Sequence, residues 1–140
     1  GAVHLGIATQ TDAGLMVPVL RDAQALDLWG LAAEVARLAD AARSGQIVRN
    51  ELIGSTITIT SLGKTGGIVT TPVINRPEVA IVGVNRIAWR PMIIGGAMVP
   101  RQMMNLSSSF DHRVVDGAVA ADFIQAVRAM LERPATLFVD

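Results

Sequence analysis

Six consecutive residues without a polar side chain, Val79-Ala80-Ile81-Val82-Gly83-Val84, constrain this chain most. A run of that length, rich in β-branched residues, predicts a strand buried on both faces, so the remaining segments have to provide its cover. Thr56-Ile57-Thr58-Ile59-Thr60 alternates strictly and predicts a second strand with isoleucines on one face and threonines on the other. The threonine face is expected to be the accessible one. Val3, Leu5 and Ile7, the turn signal Asp12-Ala13-Gly14 and the apolar run Leu15–Leu20 predict a β-hairpin. Ile93-Ile94 and Met98-Val99 around Gly95-Gly96 predict a more compact one, and Met103–Ser109 a polar strand.

Two segments carry helical spacing. Leu31, Val35 and Leu38 recur within Asp27–Arg43, with Asp27 as N-cap and Gly45 as the stop. From Asp116 onward Val119, Phe123, Val127 and Met130 share one face until Pro134 ends the pattern. Strands outnumber helices, so the expected fold class is α/β: a mixed, largely antiparallel sheet with helices packed on it.

Twelve basic residues balance 12 acidic ones, which leaves no electrostatic footprint for nucleic acid or an anionic membrane. Any anionic ligand must be held by a local site. The absence of cysteine excludes disulfides, a cysteine nucleophile and thiolate metal sites, and is compatible with an intracellular compartment. Apolar stretches such as Val79–Val84 and Pro91–Pro100 are too short, or too broken by glycine, to cross a bilayer. A mean hydropathy of +0.44 with 17% charged residues is high for a small monomer, so further chain or sister subunits are expected to cover its surface. The start at Gly1-Ala2-Val3 has neither an initiator methionine nor a signal pattern and reads as a cut edge.

Chemistry concentrates in one place. Of the two histidines, His4 lies within an alternating apolar strand and reads as structural, or as a surface residue. His112 lies where a strand ends and a helix is about to begin, in Ser109-Phe110-Asp111-His112-Arg113-Val114-Val115-Asp116-Gly117. From spacing alone this polar cluster reads equally as a site and as a capped turn with Asp116 at the helix start.

The segment Asp111-His112-Arg113-Val114-Val115-Asp116-Gly117 resembles the His-x-x-x-Asp-Gly signature of the chloramphenicol-acetyltransferase-like superfamily, in the form found in dihydrolipoamide acyltransferases. Gly6–Val19 resembles an upstream hairpin of that catalytic domain. Thr56–Gly67 is similar to its Thr-x-Thr-x-Ser-Asn-x-Gly segment, and Asn75–Ile81 to its Pro-Pro-Glu-x-Ala-Ile stretch. The likeness covers nearly the whole chain but includes nothing of the domain's N-terminal portion, nor of the lipoyl and subunit-binding domains. Residues 1–140 are therefore expected to be the C-terminal part of one such domain, with a CoA-dependent acyltransferase fold.

The resemblance implies a core acyltransferase of a 2-oxo acid dehydrogenase complex, moving an acyl group from S-acyl-dihydrolipoyl to coenzyme A. The branched-chain subtype is favoured; the pyruvate-type acetyltransferase and an inactive scaffold are the alternatives. His112 takes the role of general base on the CoA thiol. Such a role suits an imidazole with ordinary pKa ~6.5 facing a thiol of ~8.5. Thr60 falls where the family has a serine that donates to the tetrahedral oxyanion; it keeps the hydroxyl and adds a methyl. Ser61 points to the other face and is the weaker candidate. Asp116 matches an orienting aspartate, and Gly117 is expected to let the backbone pass close to neighbouring chain. CoA and the lipoyl group enter as substrates, the latter on a domain outside this chain, and no metal is required. Implied partners are two further copies in a homotrimer that builds a larger core, and the 2-oxo acid decarboxylase and dihydrolipoamide dehydrogenase components, bound through other domains. The implied location is the cytoplasm, or the mitochondrial matrix in a eukaryote.

Other readings are weaker. Gly63-Lys64-Thr65 carries the only lysine, but a phosphate loop needs a glycine where Thr58 stands and a helix where Ile68–Pro72 follows. There is no Gly-x-Ser-x-Gly elbow. His112 and Asp116 lack an evident third metal ligand.

Overall fold

The computed structural model describes residues 1–139 and divides into two compact units, the first ending at Ser109 and the second beginning at Phe110. The first unit is organised by a five-stranded sheet. Its strands are β1 (Leu5–Ile7), β4 (Val19–Leu20), β5 (Ile57–Ser61), β6 (Ala80–Val84) and β9 (Leu106–Phe110), in the order β4-β1-β5-β6-β9. β2 (Thr9–Thr11) with β3 (Gly14–Met16), and β7 (Ala88–Ile94) with β8 (Ala97–Met103), form two separate antiparallel ribbons.

The sheet is mixed as expected, with a definite distribution. β1 runs antiparallel to β4 at the edge, whereas β1–β5 and β5–β6 are parallel. The crossover from β1 to β5 contains α1 (Leu28–Arg43), packed on β2 and β4. Asp27 caps α1 by accepting from Gly30 N at 2.7 Å, and Gly45 adopts a left-handed φ of 72° just after Ser44, the C-cap residue. Leu38 and Leu20 are fully buried, each contributing about 1.5–3 kcal/mol by removal from water.

The first predicted hairpin is two nested pairings. Pro18 interrupts it, because proline has no N–H to continue the ladder. β1 therefore pairs with β4 in the main sheet, while β2 and β3 turn back on each other beyond it. The second hairpin forms as predicted, with Gly95 and Gly96 both at positive φ, 57° and 83°, as a two-residue turn between right-twisted strands requires.

β6 is buried along nearly its whole length, in keeping with its composition. The threonine face of β5 departs from expectation. Thr58 is only 1% exposed, whereas Ile57 and Ile59 are half-buried. β5 lies between two parallel neighbours, and its buried hydroxyl is satisfied by the Glu78 carboxylate, so polarity there does not mean exposure.

In the second unit α2 (Gly117–Glu132) starts at Asp116 and ends before Pro134, where the short 3-10 turn Pro134–Phe138 begins. Phe110 and Phe123 meet edge to face at 6.1 Å. The apolar face of α2 is otherwise largely open, with Val119 and Met130 exposed, as are Leu137, Phe138 and Val139.

Candidate active site

Thr60 stands near the carboxyl end of β5, the end of a parallel strand where ligands of open α/β sheets are usually met. It pairs in register with Gly83 of β6, so the two residues share one face of the sheet. A Cβ built on Gly83 would lie 2.8 Å from Thr70 Oγ1 and 3.2 Å from the Ser107 carbonyl oxygen. Any side chain there would displace its neighbours, so glycine is what lets Thr70 and Ser107 pack directly against β6 at the position paired with Thr60. Thr60 is half-buried, and its hydroxyl makes no hydrogen bond among the described residues. Ser61 is exposed, and its Oγ accepts from Gly63 N at 3.1 Å, which starts the short 3-10 turn Gly63–Thr65. That turn is not continued as a helix, so the phosphate-loop reading fails on geometry as well as on sequence.

Next to this layer lies a buried polar network that sequence reasoning missed. Ser107 Oγ accepts from Asn85 Nδ2 at 2.9 Å and from Thr70 N at 3.2 Å, and Asn85 Nδ2 also donates to the Asn105 carbonyl. Asn85 Oδ1, Thr70 Oγ1 and Arg90 Nη2 are buried without partners among the described residues. Asn85 directly after an apolar strand was the available signal.

His112 and Asp116 belong to the second unit. β9 ends at Phe110, and the Asp111 carbonyl accepts from both Val114 N and Val115 N at 2.9 Å, closing a tight turn with His112 on its exposed outer side. The Asp111 carboxylate accepts from Arg113 N at 3.0 Å and holds the Arg113 guanidinium in a fork, with contacts of 2.6 and 2.9 Å. These hydrogen bonds and the charge of Arg113 hold the Asp111 carboxyl down to about 2, from an ordinary 3.8. The pair fixes the corner that presents His112, a role not read from sequence although both residues flank the histidine.

Asp116 is the N-cap of α2, accepting from Val119 N at 2.9 Å. No hydrogen bond joins it to His112 among the described residues, so within this unit its demonstrated role is the cap. The expectation for Gly117 is corrected: a Cβ there would meet nothing within 4 Å, so no close approach in this chain explains the glycine. His4 is structural, its Nδ1 accepting from Asp22 N at 3.0 Å and fastening β1 to the turn after β4. No group of three histidine, aspartate or glutamate side chains suited to a metal ion occurs among the described residues.

The first unit offers a half-buried hydroxyl with no hydrogen bond among the described residues, and the second an exposed imidazole on a hydrogen-bonded turn. The imidazole can move a proton and the hydroxyl can donate to a developing anion.

The profile of the family described as 2-oxoacid dehydrogenases acyltransferase (catalytic domain) matches residues 1–139. The lipoamide acyltransferase component of the branched-chain alpha-keto acid dehydrogenase complex of Pseudomonas aeruginosa is 74% identical over 140 residues, which is all of this chain and 33% of that protein. The chain thus spans a third of the length of this relative. A dihydrolipoamide acetyltransferase from Azotobacter vinelandii superposes with a TM-score of 0.94 at 42% identity, covering 99% of this chain and 57% of that one. Its structure was studied for the role of one serine, one histidine and one asparagine in the catalytic mechanism. The cubic core of a pyruvate dehydrogenase multienzyme complex superposes equally well, at 0.94 and 43% identity, over 99% of this chain and 57% of that one.

Proposed function

The chain belongs to the acyltransferase catalytic-domain family of the 2-oxoacid dehydrogenases, and from that membership we propose that its protein transfers a branched-chain acyl group from S-acyl-dihydrolipoyl to coenzyme A. The observation that carries the subtype is the 74% identity to a branched-chain component, against 43% to the pyruvate-type core. Residues 1–140 then form part of one catalytic domain.

His112 takes the proton from the CoA thiol as sulfur attacks the thioester carbonyl carbon. The carbonyl oxygen becomes an oxyanion and accepts from Thr60 Oγ1. Collapse re-forms the carbonyl and breaks the bond to the dihydrolipoyl sulfur, which takes its proton from the imidazolium. The serine, histidine and asparagine studied in the Azotobacter enzyme have the same sequence spacing as Thr60, His112 and Asp116, which supports this assignment. Asp116 orients the corner by capping α2 and adds a negative charge where that enzyme has a neutral amide. CoA and the lipoyl group act as substrates, and the scheme needs no metal.

The open apolar surface of α2 and of Leu137–Val139 suits burial by other copies, and the cubic core of the pyruvate-type relative supports assembly of trimers into a larger body. In that assembly His112 and Thr60 of different copies form one site. The decarboxylase and dihydrolipoamide dehydrogenase components bind through other domains, and the complex works in the cytoplasm or the mitochondrial matrix.

The test is steady-state transfer to CoA from isobutyryl- and acetyl-dihydrolipoamide by the full protein. A higher kcat/KM for isobutyryl supports the branched-chain reading, and a preference for acetyl replaces it with the pyruvate type. Threonine in place of serine favours a second reading, an inactive scaffold, and the absence of transfer from either donor would establish it.

A further inference from the structure

Resting on Thr60 as the oxyanion donor, we propose that Glu78 is a positioning residue for that hydroxyl, acting through Thr58 on the same face of β5. Glu78 is 7% exposed, the most deeply buried carboxylate among the described residues. Its Oε1 accepts from Thr58 Oγ1 at 2.8 Å, from Asn75 Nδ2 at 3.0 Å and from Ser55 Oγ. Oε2 is buried and has no partner, and no cation pairs with the group among the described residues. One oxygen therefore gathers donors from the approach to β5, from β5 itself and from the approach to β6.

The hub is costly, because burying a carboxylate without a cation opposes folding and apolar replacements of buried charges are often no less stable. Charge-assisted hydrogen bonds provide direction instead. Thr58 precedes Thr60 by two residues, so both side chains lie on one face. The parallel register, Thr58↔Ile81 to Ser61↔Val84, begins at Ile81, with only Val79 and Ala80 between it and Glu78. Glu78 thus fastens the entries of both strands, whose other ends carry Thr60 and the closely packed Gly83 paired with it. A slip of β5 along its axis would move the hydroxyl away from the developing oxyanion, and a displacement of about 1 Å can cost on the order of 10² in rate.

The experiment measures kcat and KM in the full acyltransferase, with Thr60→Val as a second background. Glu78→Ala is expected to lower kcat about tenfold with KM for CoA within about twofold, while Glu78→Gln, which keeps the accepting oxygen, stays within about threefold of the parent. In the Thr60→Val background Glu78→Ala should bring no further loss. Equal losses in both backgrounds, with Thr60→Val itself slow, would leave the donor assignment standing and overturn the positioning role. A Thr60→Val enzyme as fast as its parent would overturn the donor assignment and this inference with it. If Glu78→Ala does not fold, Thr58→Val cuts the same link with almost unchanged shape, and a kcat equal to the parent's would refute the proposal.

Discussion

The two regions that carry the proposed chemistry are held by opposite means. Around Thr60 the hydrogen bonds to Glu78 span 20 and 23 positions of sequence, are part-buried or buried, and fix a strand between two parallel neighbours. Around His112 the bonds span two or three positions, are exposed, and fix a turn. A hydroxyl that must meet a short-lived oxyanion gains from a rigid strand. A base that must meet an incoming thiol gains from an open corner whose shape is local. Damage should therefore stay local at the corner and spread at the strand.

The largest effect tests the corner. His112→Ala in the full protein should lower kcat by at least ~10²-fold at neutral pH with little change in KM for CoA. Near-normal turnover would remove His112 from the mechanism. Next comes the strand: Thr60→Val should cost roughly 2.7–4 kcal/mol of transition-state stabilisation, whereas Thr60→Ser keeps most activity. Equal rates for Val and Thr would show the hydroxyl to be irrelevant. Unfolding the two inactive variants together and reassembling them should restore activity if the site is shared, and none if it is not.

A smaller effect separates the two roles of Asp116. Asp116→Ala should destabilise the second unit by about 1 kcal/mol in chemical denaturation, while Asp116→Asn, also a good cap, should not. A kcat that falls for Asn at unchanged stability would assign the charge a part in catalysis; a stability loss equal to that of Ala would refute the cap.

The smallest effect is electrostatic. Since Arg113 lowers the Asp111 carboxyl to about 2, the pair's contribution to the corner is complete above the ordinary carboxylate range and is lost as pH falls through about 2. Arg113→Ala should return Asp111 toward the ordinary 3.8 in a carboxyl-carbon NMR titration. An unmoved titration would show that the fork is not populated in solution.

Elements with strong local signals were legible in the sequence. Asp27 and Asp116 cap their helices as spacing predicts, the Gly95-Gly96 turn forms, and the run Val79–Val84 is buried from Ala80 to Gly83. The candidate residues Thr60, His112 and Asp116 came from a resemblance and not from periodicity; the structure places Thr60 near a strand end and His112 and Asp116 at a strand-to-helix corner. What stayed hidden is non-local. Alternation in Thr56–Thr60 fixes which residues share a face, but exposure is decided by Glu78, twenty positions beyond Thr58, and by neighbours on both sides. The sheet around the nested hairpin likewise depends on β5 as a second partner on the other edge of β1, which no local pattern announces.

The parallel pairing of β1 with β5 also bears on the order in which the molecule acquires its parts. Leu5 meets Ile57 only after about fifty intervening residues have been gathered in, so the chain gives up loop entropy before the contact returns anything. α2 needs no such closure, as its hydrogen bonds and its cap come from its own neighbourhood. The predicted sequence of events is an early corner and a late strand, with the base in place while the hydroxyl donor is still unformed. Pulse-labelled hydrogen exchange during refolding of the full protein should show Val119 and its neighbours protected before Thr58 and Ile59; simultaneous protection would contradict this order. A newly made chain would then hold its proton acceptor ready yet remain unable to stabilise the charge that the acceptor's action creates.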